Sequence, residues 1–227
     1  KYCHKYSKEK LMDHKQIEKA VIRSQHCQRN WDLTKDIPEE DLQLIIHAAT
    51  QCPSKQNIAF YKVHFITNRS LIEEVHSKTA GFKNYDTGEY ETNSQTLANL
   101  LIAFERDDYL QRHTDDKVFR NDEMYSLDTV GEMTSGQKGN LERDAFMAIG
   151  IAAGYVNLTS CMLGYGTGCC ACFDEKEIAE TIGANNPIKL LMGVGHKDAT
   201  KNRRIHHETG FVFPTKSKQE IHVNVIK

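Results

Sequence analysis

Residues 145–173 read AFMAIGIAAGYVNLTSCMLGYGTGCCACF, a run without a charged side chain. A membrane span needs about 20 predominantly apolar residues. Here Asn157, Thr159, Ser160 and the glycines at 150, 154, 164, 166 and 168 interrupt the run. Arg143 precedes it, Asp174 and Glu175 follow, and no Lys/Arg cluster marks either flank. The stretch therefore reads as a helix over 145–163, apolar nearly all round, at the centre of a soluble core or a subunit interface. Gly150 and Gly154, four apart, would let another helix approach closely. After Leu163-Gly164 the helix stops, and 166–173 reads as a strand and turn built of small residues.

On the C-terminal side, Asp174 with Glu177 three residues on marks a helix start, and Gly183 its end. A buried strand follows over 188–194, then a basic loop over 197–204 and an extended tail with alternation at Ile221, Val223 and Val225. On the N-terminal side, helices are expected over 11–24 and 38–51. The first has Leu11, Ile17, Val21 and Ile22 as its stripe, and Pro38 falls in the first turn of the second. Strands are expected over 61–67 and 100–104, and a short helix capped by Ser70 over 70–78. Residues 107–140 are acidic and weakly patterned, and read as a surface excursion or lid. Helices and strands mix without tight βα alternation, so the fold class is α+β: one domain over 1–227, a sheet flanked by helices.

Composition narrows the function. Hydrophobic residues are 39% and charged residues 26% of 227, with a mean hydropathy of -0.57, which excludes wholesale disorder and collagen-like repeats. Basic and acidic residues number 29 and 31, a balance that speaks against a nucleic-acid binder. The N-terminus shows no apolar signal core and the seven cysteines are odd in number, so free thiols in a reducing cytoplasm are expected. Cys169, Cys170 and Cys172 form a single cluster, whereas structural zinc takes two separated knuckles. Adjacent residues on a strand face opposite ways, so these thiols read as small packing residues and no metal site is expected. His206-His207 reads as a solvated pair.

Three stretches belong together: Gln25-His26-Cys27-Gln28-Arg29-Asn30-Trp31 after a helix, Pro53-Ser54-Lys55-Gln56-Asn57 before a strand, and Lys201-Asn202-Arg203-Arg204 after the last core strand. In order and spacing, with the turn over 163–174 as a fourth element, they resemble the FMN-dependent nitroreductase family across residues 17–204. That family carries an Arg-Arg-Ser-x-Arg-x-Phe segment, a Pro-Ser-x-x-Asn segment and a basic pair at these places. The resemblance implies a mixed sheet flanked by helices, with the long helix at a dimer interface and the tail exchanged between subunits. It also implies an FMN enzyme that takes hydride from NADH or NADPH and passes it to a small organic acceptor, a nitroaromatic or a quinone. The partner is a second copy of the chain; no membrane or nucleic acid is involved.

The resemblance also assigns residues. Arg29, Lys201 and Arg203, with Arg204 beside them, would anchor the phosphate, for which forked guanidinium donors are well suited. Gln25, His26 and Cys27 would complete that end. The ring would lie on Cys169, Cys170, Ala171 and Cys172, with the N–H groups of Ala171 and Cys172 toward flavin N5 and a small Gly168 admitting it. Asn93 and Gln95 would meet the pyrimidine edge, since amides both donate and accept. Pro53, Ser54, Lys55 and Asn57 would reach the cofactor of the other subunit. No side chain is assigned as acid, base or nucleophile. The sequence departs from the family at Gln25, where an arginine is usual, with His26 the candidate for replacing part of that charge. It departs also at Cys27 for serine, Trp31 for phenylalanine, and Ala59-Phe60 for Gln-Pro. Alternatives on the same fold are reductive dehalogenation and flavin fragmentation; outside catalysis, a flavin-binding or thiol-sensing module.

Overall fold

The computed structural model describes residues 13–107, 135–215 and 217–226. Most of the expected surface excursion over 107–140, and Leu11 of the first helix, lie outside them. The strands are β1 (Tyr61–Ile66), β2 (Leu100–Arg106), β3 (Gly166–Cys170) and β4 (Ile188–Gly195). The helices are α1 (His14–Ser24), α2 (Glu39–Thr50), α3 (Arg69–Ser77), α4 (Ser135–Met162) and α5 (Glu175–Ile182). Single 3-10 turns occupy Lys55–Asn57 and Ser94–Thr96.

The strands form one sheet in the order β1-β2-β4-β3, each neighbouring pair antiparallel. A parallel pairing enters through the bridge between Cys27 and Thr167 on the outer side of β3. Both faces of the sheet are covered. Leu100, Ile102, Phe104, Met192 and Val194 pack against Ile45 and Ala49 of α2 and Ala145, Ala148, Ile149, Ala152 and Val156 of α4. Leu101, Ala103, Ile188 and Leu191 pack against Ile72 and Val75 of α3 and Ile178 and Ala179 of α5. Burial on two faces is why β2 is a continuous apolar run without alternation.

Local signals act as chemistry requires. Asp174 accepts from the N–H groups of Lys176 and Glu177, and Gly183 ends α5 with φ 71°. Elsewhere the structure corrects the sequence reading. The cap of α3 is Asn68, whose side chain accepts from Leu71 N–H, and Ser70 lies inside the helix. Pro38 stands one residue before α2 and not within its first turn. The stripe expected on α1 is not buried in this chain: Ile17, Val21 and Ile22 are exposed and Ala20 alone is buried. Nor is α4 buried all round. One side enters the core; Phe146, Met147, Ile151, Tyr155 and Met162 are 39–52% exposed, and a Cβ on Gly150 or Gly154 would meet nothing within 4 Å. Glu142–Met162 is long and apolar enough to cross a bilayer by composition, and here it packs on α2 and the sheet. Residues 217–226 form no helix or strand, and Ile221, Val223 and Val225 are exposed.

The cap assignment separates two nearby substitutions. Asn68→Ala should lower stability by about 1 kcal/mol in urea unfolding. Ser70→Ala should change it by less than about 0.5 kcal/mol.

Candidate functional site

The site is organised around β3, an edge strand. Its inner side pairs with β4, and its outer side receives the chain after α1, with Gln28 N–H donating to Thr167 O at 2.8 Å. The segment 93–99 lies directly on the backbone of β3 and β4. A Cβ on Gly193 would stand 1.9 Å from Gln95 O, and one on Gly195 2.1 Å from Asn99 Oδ1. On Gly168 it would stand 2.5 Å from Gln95 Cβ and 2.7 Å from Gln28 O. Glycine at 168 thus admits the protein's own segments, not the flat ring expected from the sequence. Cys169, Ala171 and Cys172 remain exposed beside it, while Cys170 is buried in the core.

The two amides differ. Asn93 is tied down: its side chain donates to Ala80 O and its N–H to Thr79 Oγ1. Gln95 donates to Cys169 O at 3.0 Å, while its Oε1 is buried without a hydrogen-bond partner. An N–H donor would satisfy that oxygen, and leaving it unmet costs about 1–3 kcal/mol.

A cleft of about 310 Å³ opens between the end of α1, the start of β3 and the loop after β4. Of the residues singled out from the sequence, His26, Lys201 and Arg203 line it, and so do Arg23 and Lys197, which the sequence reading does not single out. Partial desolvation, then the charges of Arg203 and Lys197, hold the His26 imidazolium below its ordinary pKa. Burial, then the Arg23 charge, does the same to the Lys197 ammonium. Among the described residues the one carboxylate in the wall, Asp198, accepts from Thr200 and lies 3.6 Å from Lys201.

Other predicted residues lie elsewhere. Gln25 is the exposed C-cap of α1 and does not line the cleft. Arg29 turns away from it: the backbone N–H donates to Arg203 O at 3.1 Å, and the guanidinium stacks 4.5 Å over Phe213 with Nε buried and unpartnered. Arg204 points to the tail and donates to Thr215 Oγ1. Cys27 O accepts from Arg203 Nη1 at 3.4 Å, and burial pushes the Cys27 thiol up against the pull of Arg29 and Arg203. The buried Cys170 thiol is pushed up to about 12.

Residues 53–57 sit at the far edge of the sheet. They lead into β1, three strand spacings from β3, about 14 Å. Within one chain, Pro53, Ser54, Lys55 and Asn57 therefore do not join the cleft. Ser54 Oγ accepts from Ala59 N–H at 2.8 Å, and Lys55 meets the buried Asp144 at 2.7 Å. Asn57, Ala59 and Phe60 have φ of 60°, 66° and 65°. The sequence departure at 59–60 thus has a backbone counterpart, because a proline ring, held near −65°, could not occupy position 60.

His206 and His207 are not the solvated pair expected from the sequence. His206 is 1% exposed and stacks on Phe213; its Nδ1 accepts from Glu208 and Thr209 N–H. His207 Nδ1 accepts from Trp31 N–H. His76 lies against His206, and ligand atoms of His76, His206 and Glu208 come within 4.8 Å of one another. Two N–H groups aimed at Nδ1 put the His206 proton on Nε2, the nitrogen facing Thr92, so the imidazole serves as a hydrogen-bonded packing element.

The family model of the nitroreductase family matches residues 22–196. The chain belongs to the nitroreductase family. Among solved structures it resembles a nitroreductase family protein from Streptococcus pneumoniae TIGR4 (TM-score 0.59, 17% identity, 88% of this chain and 94% of that one). It also resembles a protein from Exiguobacterium sibiricum 255-15 described as a nitroreductase in complex with FMN (0.57, 16%, 94% and 96%). A third is the nitroreductase NfrA1 of B. subtilis (0.59, 12%, 85% and 74%). At such identities the likeness is one of fold. No curated protein matches the sequence.

The buried histidines set an acid limit on this nitroreductase fold. Burial lowers the pKa of His76 to about 4, and those of His206 and His207 fall from the same first cause. Unfolded, each binds its proton near 6.5, so the unfolded state holds more protons below that pH and stability falls with acidification. The midpoint of thermal unfolding should decline from pH 6.5 to pH 4 and level off above 7. His76→Leu should flatten part of that slope.

Proposed function

We propose that this chain is an FMN-dependent oxidoreductase that takes hydride from NADH or NADPH and passes it to an organic acceptor such as a nitroaromatic or a quinone. The observation that carries the reading is the basic cleft lined by His26, Lys201 and Arg203 at the start of β3, with the exposed residues Cys169, Ala171 and Cys172 farther along the same stretch of chain. A phosphate monoester carries nearly two negative charges near neutral pH and suits such a donor set. The unmet Gln95 Oε1 suits an N–H group of the ring system. When bound, the flavin supplies two-electron chemistry at N5. The protein's part is to hold the anionic tail and to present backbone N–H groups at residues 171–172. Donor and acceptor would use one ring face in turn, which gives ping-pong kinetics.

The working unit of this reading is a homodimer. The open face of α4 leaves Phe146, Met147, Ile151 and Tyr155 exposed, and α1 leaves Ile17, Val21 and Ile22 exposed, apolar side chains that suit a contact with a second copy. A second copy seated there would bring its own 53–57 segment toward the cofactor, which one chain cannot do. Free thiols at the six described cysteines suit a reducing cytoplasm. The thiol-sensing alternative is disfavoured, because sensing needs a thiolate and burial holds Cys27 and Cys170 as thiols.

A visible absorption spectrum of the purified protein, before and after NADPH under argon, tests the reading. A yellow flavin band bleached by NADPH is expected. Protein that stays colourless after incubation with excess FMN would sink it. Arg203→Ala should weaken FMN binding by roughly tenfold or more.

A further inference from the structure

Position 25, where the family usually has an arginine, holds a glutamine that caps α1 from outside the cleft. Two cations that the family pattern does not supply stand in the cleft wall: Arg23 from the last turn of α1 and Lys197 just past β4. The backbone of Lys197 is pinned by its bridge to Trp31. Its stem crosses β3 where Gly166 carries no side chain. A Cβ at Gly166 would come within 3.0 Å of Lys197 Cγ and 3.1 Å of Gln28 Cγ. Among the described residues, no carboxylate pairs with Lys197 or Arg23. Two separate parts of the chain, the end of α1 and the loop after β4, thus deliver positive charge to one concavity, and a glycine makes room for one of the side chains.

We propose that Lys197, with Arg23 beside it, is a phosphate-binding residue of this cleft, supplying the cationic contact that Gln25 cannot, and that Gly166 is required to seat it. The identity of the ligand, the phosphate monoester of FMN, rests on the function proposed above. Lys197 acts as a partly desolvated point charge, while Arg203 offers a directional fork, so the two contacts are complementary. Asp198, the one acid in the wall among the described residues, is hydrogen-bonded by Thr200 and pairs with Lys201 rather than with Lys197.

Titrating the full chain with FMN and with riboflavin, which lacks the phosphate, isolates this contact. Wild type should bind FMN more tightly than riboflavin. Lys197→Gln should lose roughly tenfold to a hundredfold on FMN, as for a hydrogen bond to a charged group, and nothing on riboflavin. Gly166→Ala, which keeps the lysine but blocks its path, should lose FMN affinity in the same sense. A folded Lys197→Gln protein with wild-type FMN affinity would overturn the proposal and leave the FMN reading intact. Should Lys197→Gln fail to fold, Arg23→Gln on the exposed helix end provides the same comparison. Should wild type bind no FMN, the cofactor reading fails by itself, and thermal shift with inorganic phosphate then decides the role of Lys197. A larger shift for wild type than for Lys197→Gln supports the role; equal shifts refute it.

Discussion

Backbone lies on backbone where residues 93–99 cross β3 and β4, and the rest of the site hangs on that contact. Glycine at 168, 193 and 195 leaves no room for anything else. Seated there, Gln95 holds Cys169 O, Ser94 Oγ holds Arg29 O, and Ser94 O receives the indole N–H of Trp31. Trp31 in turn bridges to Lys197 and meets His207. The loop after α1, the end of β4 and the strap after Arg204 are therefore positioned by one steric fact, from parts of the chain up to 176 residues apart. A side chain at any of the three glycines would disturb all of them together.

Positive charge is gathered on one side of that contact. Arg23, His26, Lys197, Lys201 and Arg203 converge on a cleft with a single engaged acid, Asp198. Burial is the larger cause of the lowered pKa values of His26 and Lys197, and repulsion from the neighbouring cations adds to it. An anion bound in the cleft would relieve that repulsion. On α4 one side enters the core while Phe146, Met147, Ile151 and Tyr155 stay exposed in the single chain.

Departures from the family pattern become intelligible as substitutions of place. Charge absent at Gln25 reappears at Arg23 and Lys197 in space. Phe60, standing where a proline is common, takes a backbone conformation that proline cannot, and its ring is buried in the core. Arg29 keeps its family position in the sequence, yet its guanidinium rests on Phe213 and outside the cleft.

The sequence by itself determined what depends on neighbours along the chain. Period, length and end signals place α2, α5, β1, β2 and β4 within a residue or two, because Asp174, Gly183 and the doubly buried run of β2 act locally. The motif spacing identifies the family, and His26, Lys201 and Arg203 as partners at a distance. Only the tertiary structure decided which face of α4 stays open, that Arg29 leaves the cleft while Arg23 and Lys197 enter it, and that His206 is core and not surface. Apolar periodicity says that a residue is buried but not against what, and the charge of a lysine or arginine says nothing of where its long side chain will reach. Those outcomes are set by contacts between segments that lie far apart along the chain.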